Sequence, residues 1–330
     1  MQNTDISITE ETSFPTGGRV IRNTGSHYVV KLENGKEITC KIKGNFRIKG
    51  IRTTNPVSVG DIVGVSAPGP DGVAFINEIL PRTNYIIRRS SNLSKEAHII
   101  ASNVDLAALV VTLVHPQTAT TFIDRFLATA EAYDVPAALI INKVDLLSGE
   151  EDAEYLEAFS YLYSSIGYKV IPVSARSGKG LDVLREYLRG KITLLSGNSG
   201  VGKSTLINAL IPGLKLRTGD ISEAHDTGMH TTTFSELFEL PGENGGSIID
   251  TPGVRGFGTV DFDRQNVAHY FPELFKVSAS CRFNNCTHTN EPGCAVLEAV
   301  REQRIAHSRY NSYLSILEEL KEDEKYRKGY

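Results

Sequence analysis

Residues 197–205 read Gly197-Asn198-Ser199-Gly200-Val201-Gly202-Lys203-Ser204-Thr205, a complete G-x-x-x-x-G-K-[ST] phosphate loop. Such a loop wraps anionic oxygens with backbone N–H groups, and its glycines give the backbone the freedom to do so. By its place in the motif, Lys203 reaches the β- and γ-phosphates of a nucleotide and acts in catalysis, while the Ser204 hydroxyl holds Mg2+. A strand pattern, Ile192–Ser196, runs into the loop. A helix pattern, Lys203–Leu210, leaves it with its positive end at the same spot. That setting separates the motif from a plain Gly-rich turn.

Upstream, Asn142-Lys143-Val144-Asp145 follows the apolar run Val135–Ile141. A carboxylate such as Asp145 accepts two hydrogen bonds, from guanine N1–H and from the amino group. Adenine offers neither donor there, so an unpaired Asp145 rejects it. Ser174-Ala175, at the end of Val170–Val173, is placed as a second base-contacting loop with a backbone N–H for the guanine oxygen. In an ordinary GTPase the phosphate loop precedes the base-reading loop. Here the order is reversed, which points to a guanine-nucleotide hydrolase with a circularly permuted sheet.

Asp250-Thr251-Pro252-Gly253 follows Ile248-Ile249. Asp250 is expected to bind Mg2+ through water, and the Gly253 N–H to sense the γ-phosphate. Ras-like proteins carry next a Gln that orients the attacking water. This chain has Val254, so another group must do that work. The run Gly228-Met229-His230-Thr231-Thr232-Thr233 offers one. His230 is the catalytic candidate, ahead of the weaker His225 and against the plainer reading of a surface-loop histidine. Thr232 or Thr233 is expected at the Mg2+.

Cys281-x4-Cys286-x-His288-x5-Cys294 presents three thiolates and one imidazole, the complement of a tetrahedral structural zinc site. With no fifth ligand evident, one fold-stabilising Zn2+ with no open position is expected. Buried reduced cysteines are the alternative. Cys40 stands apart in a strand pattern and reads as core.

These groups need elements to hold them. Strand patterns at Arg19–Ile21, His27–Leu32, Ile38–Ile42 and Ile62–Val65, with a turn signal at Glu33-Asn34-Gly35-Lys36, predict a small closed barrel of the five-stranded oligonucleotide-binding (OB-fold) kind. Arg82–Ser94 reads as a connector. From Asn103 the period changes. The apolar runs Leu106–Val114 and Val135–Ile141 alternate with helical spacing at Phe122, Ile123, Phe126, Leu127 and Ala130, and again over Ser148–Ile166. That predicts an α/β unit with a mostly parallel sheet covered on both faces. Beyond Gly258 the pattern is irregular until two amphipathic stretches, Ala295–Arg304 and Ser308–Leu320. The expected multidomain plan is a disordered arm over 1–15, the barrel over 16–90, the permuted nucleotide-binding domain over 91–260 and an α-helical zinc domain over 261–330.

With 330 residues, 22% charged and 40% hydrophobic, the composition is that of a globular protein of two or three domains. The net charge of −4 does not advertise nucleic-acid binding. Its distribution does: Thr16–Ser90 holds 12 Lys or Arg against 5 Asp or Glu, hence 12 − 5 = +7. Lys41, Lys43, Arg47, Lys49 and Arg52 are the candidate RNA-phosphate contacts. No apolar run approaches the roughly 20 residues that span a bilayer. Met1–Phe14 lacks a signal-peptide pattern. A cytoplasmic monomer with no membrane partner is expected, and three cysteines clustered in 281–294 suit a metal in a reducing compartment.

Together these residues resemble the RsgA (YjeQ/YloQ) family of circularly permuted GTPases, which act on the small ribosomal subunit. The resemblance spans roughly Thr16 to Leu320. It rests on the barrel, the permuted motif order, His230-Thr231-Thr232-Thr233 and the Cys/His spacing with Glu291-Pro292-Gly293-Cys294. Met229 departs from it, standing where a basic residue is expected. The resemblance implies GTP hydrolysis to GDP and phosphate, slow alone and stimulated by the small (30S) subunit. It also implies a role late in that subunit's maturation, with its rRNA as partner and His230 as the catalytic histidine. Two other readings stay open: an RNA-binding scaffold whose bound nucleotide is barely hydrolysed, and a phosphate-loop kinase or ATPase, against which Asp145 argues. Because the permutation sets Asp250–Gly253 directly before the Cys/His segment, loss of the γ-phosphate is expected to shift the zinc domain against the barrel.

Overall fold

A computed structural model describes residues 17–42, 56–89, 97–217, 235–250 and 262–328. Strands β1 (Gly17–Asn23), β2 (Tyr28–Leu32), β3 (Glu37–Ile42), β4 (Ile62–Val65) and β5 (Ala74–Ile79) lie in the order β1-β2-β3-β5-β4. β4 pairs back onto β1, so the barrel closes. β3 and β5 run parallel, and the other pairs antiparallel. Alternation along the strands fills the interior with Val20, Val30, Ile38, Val63 and Ile76. Cys40 belongs to the same core, and burial pushes its thiol up to about 11. β5 is not evident in the sequence because Ala74-Phe75-Ile76 is continuously apolar and masks the period of two. The segment read as a connector, Arg82–Ser94, holds the strand β6 (Tyr85–Arg89), which pairs antiparallel with β7 (Ala97–Ser102).

The α/β unit follows: β8 (Leu106–Val111), α1 (Thr120–Ala132), β9 (Ala137–Ile141), α2 (Glu150–Ile166), β10 (Lys169–Pro172), α3 (Leu181–Leu188), β11 (Ile192–Ser196), α4 (Lys203–Leu210), β12 (Glu236–Glu239) and β13 (Ser247–Asp250). Its strands lie in the order β10-β9-β8-β11-β13-β12. All neighbours are parallel except β12 with β13. The phosphate-loop strand β11 sits mid-sheet between the first and last strands of the unit. That is the permuted arrangement. Every residue of β8 is buried, because helices cover both sheet faces. Leu109 and Leu139 pack with Phe126 of α1 and Phe159 of α2, while Ala108 and Ile140 pack with Leu184 of α3 and Leu206 of α4.

The outer edge of β12 pairs with β1, so barrel and α/β unit share one 11-stranded sheet. A bulge at Ile21 allows β1 to serve both: Val20 points into the barrel core and Ile21 into the α/β core.

After Phe262 the chain forms α5 (Pro272–Ser278), α6 (Ala295–Arg301) and α7 (His307–Lys328). Their core of Phe271, Leu274, Val296, Ile305, Tyr313 and Ile316 also takes in Ala128 of α1. Beneath it lies a buried polar network. Asp124 of α1 accepts from Arg309 Nη1 at 2.8 Å, Ser312 Oγ at 2.5 Å and Tyr163 OH at 3.0 Å. Arg309 also donates to Glu273 at 2.6 and 3.1 Å. Burial works against the guanidinium charge, but Asp124 and Glu273 outweigh it and hold the pKa of Arg309 above its ordinary value. A shift of the C-terminal unit against the barrel, expected from the motif order, would break this network wherever it parted α7 from α1. Among the described residues no helix is long and apolar enough to cross a membrane.

Candidate nucleotide site and metal centre

The phosphate loop leaves β11 and ends at α4, with Gly202 at φ 89° as the α4 N-cap. A Cβ on Gly197 would stand 2.4 Å from the Val110 carbonyl oxygen, and one on Gly202 would stand 2.6 Å from Asn142 Nδ2. The loop therefore needs glycine both to turn and to touch its neighbours. Lys203 Nζ donates to the carbonyl oxygens of Gly197 and Asn198. Burial lowers its pKa, and the Asp250 carboxylate opposes that shift. Ser204 is half-buried in the first turn of α4, and Thr205 is exposed.

Asn142 joins three loops. Its Nδ2 donates to the Val201 carbonyl of the phosphate loop at 2.9 Å, and its Oδ1 accepts from the Ala175 amide at 3.1 Å. The side chain is 3% exposed, so both bonds satisfy an otherwise costly buried amide. The Ala175 amide is thus given to Asn142, and the Ser174 amide to the Lys179 carbonyl. Ser174 Oγ accepts from the Ser177 amide. Lys143 adopts a left-handed φ of 63° and donates from Nζ to the His115 carbonyl at 2.6 Å. Val144 is buried and anchors the loop, while Asp145 is exposed and accessible to a ligand.

Asp250 ends β13 and stands in register with Leu195 of β11, two residues before Gly197. Ser204 and Asp250 together offer hydroxyl and carboxylate oxygens, the donors a hard Mg2+ takes. His230, Thr232, Thr233 and Gly253 lie outside the described residues.

The four Cys/His candidates do converge. One ligand atom from each of Cys281, Cys286, His288 and Cys294 lies within 4.8 Å of the others. His288 Nδ1 is 3.6 Å from Cys281 Sγ and 3.5 Å from Cys294 Sγ. A tetrahedral ion with Zn–S of about 2.3 Å and Zn–N of about 2.0 Å sets that edge at about 3.5 Å, so the cluster fits zinc. Burial and the neighbouring thiols push Cys286 up to about 12, and burial lowers His288. Tyr310 and Tyr313 of α7 donate to the carbonyls of His288 and Thr287, each at 2.7 Å, and fix the backbone of the centre. Burial opposes ionisation of Glu291. The Thr287 hydroxyl and the amides of Thr287 and Thr289 outweigh it, and the carboxyl is held down at about 2.

On the barrel, Lys41 of β3 stands in register with Phe75 of β5, which is 39% exposed. A cation beside an open ring suits a single-stranded nucleic acid. Lys43, Arg47, Lys49 and Arg52 lie outside the described residues. The sequence reading missed Phe75, Asp124 and Arg309. Asp124 had left a sign, as a lone carboxylate on the apolar helix face of Ile123, Phe126 and Leu127.

Known proteins resemble this chain over most of its length. The family model described as RsgA GTPase matches residues 79–260, and that described as RsgA N-terminal domain matches residues 17–72. A protein of Bacteroides fragilis (strain YCH46) named small ribosomal subunit biogenesis GTPase RsgA is 59% identical over 95% of this chain and 99% of its own length. A protein of the same name from Porphyromonas gingivalis (strain ATCC BAA-308 / W83) is 58% identical over 95% of this chain and 99% of its own. The crystal structure of YjeQ from Thermotoga maritima superposes with a TM-score of 0.74 at 35% identity, covering 92% of this chain and 98% of that one. That of YloQ, a circularly permuted GTPase, superposes with a TM-score of 0.72 at 29% identity, covering 96% and 99%. With the phosphate loop mid-sheet and late in the chain, and likeness over both matched regions, the chain belongs to the RsgA family of GTPases.

Proposed function

We propose that this protein hydrolyses GTP to GDP and phosphate and acts in late maturation of the small ribosomal subunit, which binds it and stimulates turnover. The observation that carries the reading is Asn142, which ties the base-reading loop and the Ser174-Ala175 loop to the phosphate loop. Only a site that holds base and triphosphate together needs that tie. Asp145 then reads guanine, with Asn142, Lys143 and Val144 shaping the loop. Residues 197–205 cradle the phosphates, with Lys203 on the β- and γ-oxygens. Ser204 and Asp250, with Thr232 or Thr233, hold Mg2+, which when bound offsets the charge on the phosphate oxygens. Gly253 senses the γ-phosphate, and His230 orients the attacking water.

Cys281, Cys286, His288 and Cys294 hold one structural Zn2+. Lys41, Lys43, Arg47, Lys49 and Arg52 meet rRNA phosphates, and Phe75 adds a stacking face. The working domain limits are 1–15, 16–90, 91–260 and 261–330; the limit at 90 passes through the β6–β7 hairpin. The protein works as a cytoplasmic monomer.

The test is GTP hydrolysis titrated with purified small subunits, large subunits and bare RNA. Saturable acceleration by small subunits, with GTP preferred over ATP, is expected. No acceleration, or equal acceleration by large subunits, overturns the reading.

A further inference from the structure

Strand register places three charged residues in one row. Arg22 of β1 stands opposite Glu236 of β12. Glu236 stands opposite Asp250 of β13. The Asp250 carboxylate in turn acts on the Lys203 ammonium. Directly opposed residues on antiparallel strands share a sheet face, with Cβ atoms about 4.5–5.5 Å apart. Two carboxylates therefore sit side by side at the end of β13, an unfavourable pairing on its own. Arg22 answers it: Nε and Nη2 both donate to Glu236 Oε1.

Arg22 is a barrel residue, and its place is set from two sides. Val20 is buried in the barrel core and Ile21 in the α/β core beside Leu237 of β12. Among the described residues β1 and β12 share one register pair, Arg22↔Glu236, with the Asn23 amide 3.4 Å from the Ser235 carbonyl oxygen, and Lys31 of β2 pairs with Glu239 of β12. The Arg22 side chain is 43% exposed and that of Glu236 22%, so the ion pair contributes little to stability. Its consequence is electrostatic.

We propose that the barrel supplies a positioning residue to the nucleotide site: Arg22, which acts through Glu236 on the charge beside Asp250. The inference rests on the assignment of Asp250 to Mg2+ given above. While Arg22 holds Glu236, the second carboxylate is compensated, and the cation meets the charge of Asp250 alone. A shift of β1 exposes the Glu236 charge and alters the affinity for the cation. The barrel thereby has a route to the nucleotide site through described strands.

The test is a Mg2+ titration of the full chain, read by binding of a fluorescent, non-hydrolysable GTP analogue, for wild type, Arg22→Ala, Glu236→Gln, the double variant and Arg22→Lys. Arg22→Ala should lower the Mg2+ concentration for half-saturation about two- to fivefold, the range of a cross-strand charge interaction. Glu236→Gln, which leaves the Arg22 charge unanswered, should raise it. The double variant and Arg22→Lys should return near wild type. A purely structural role would instead move the melting temperature without this pattern. Half-saturation unchanged across the set, or a double variant displaced as far as Arg22→Ala, overturns the inference and leaves the proposed function standing. A wild-type chain that binds no GTP analogue overturns both.

Discussion

Arg309 on α7 donates to Asp124 on α1 at 2.8 Å, and both residues are fully buried. The bond joins the C-terminal helices to the nucleotide-binding unit across 185 positions of sequence. Removing one partner strands a buried charge. Arg309→Ala should therefore destabilise the protein by about 3–5 kcal/mol. Replacing the pair together, as Asp124→Leu with Arg309→Met, should recover only part of that loss, because Glu273, Ser312 and Tyr163 lose the partners that the pair supplied. Denaturant unfolding of the two variants checks both statements, and an unshifted midpoint for Arg309→Ala would remove the network from the stability of the fold.

Asn142→Ala deletes two hydrogen bonds at about 1 kcal/mol each, so nucleotide affinity should fall about tenfold to thirtyfold. Gly202→Ala should act by the same route, because its new Cβ meets Asn142 Nδ2 at 2.6 Å. Fluorescent GDP titrations measure both. Wild-type affinity in either variant would break the link between the loops.

Asp145 is exposed at the end of its loop, so its exchange should leave the fold intact. Asp145→Asn should weaken GTP binding and admit xanthosine triphosphate, whose ring presents an acceptor where guanine has its amino group. Competition between the two nucleotides reads the switch directly.

One zinc ion per chain is expected by native mass spectrometry, held at the 3.5–3.6 Å sulfur–nitrogen edges of the cluster. Cys286→Ser should lose it. Because Tyr310 and Tyr313 rest on the backbone of the centre, a chelator should lower the melting temperature and reduce the helical signal of the C-terminal unit.

Glu291 is held at about 2 against an ordinary 4.5. A lowered carboxyl contributes stability that is present above the ordinary value and is lost as pH falls toward the folded one. Melting temperatures followed from pH 5 to about pH 2 should therefore fall more steeply for wild type than for Glu291→Gln. Parallel curves would show that the Thr287 and Thr289 bonds do not favour the charged form.

Much of the site was legible in the chain because its parts are local. A phosphate loop needs glycines and a lysine at set spacing between a strand and a helix, and residues 192–210 supply them. The continuous apolar runs marked strands covered on both faces, as β8 is. The Cys/His spacing marked a cluster that closes. Reading failed where the period was ambiguous, as at Ala74-Phe75-Ile76.

The sequence by itself determined the kinds of domain, the permuted motif order and the chemistry of the candidate groups, since each depends on residue type and short spacing. Only the tertiary structure decided that β1 extends the α/β sheet, that Arg22, Glu236 and Asp250 fall in one row, and that Asp124 meets Arg309. Those relations come from strand register and helix packing between distant segments. Many pairings satisfy the same local patterns, and the shared cores select one.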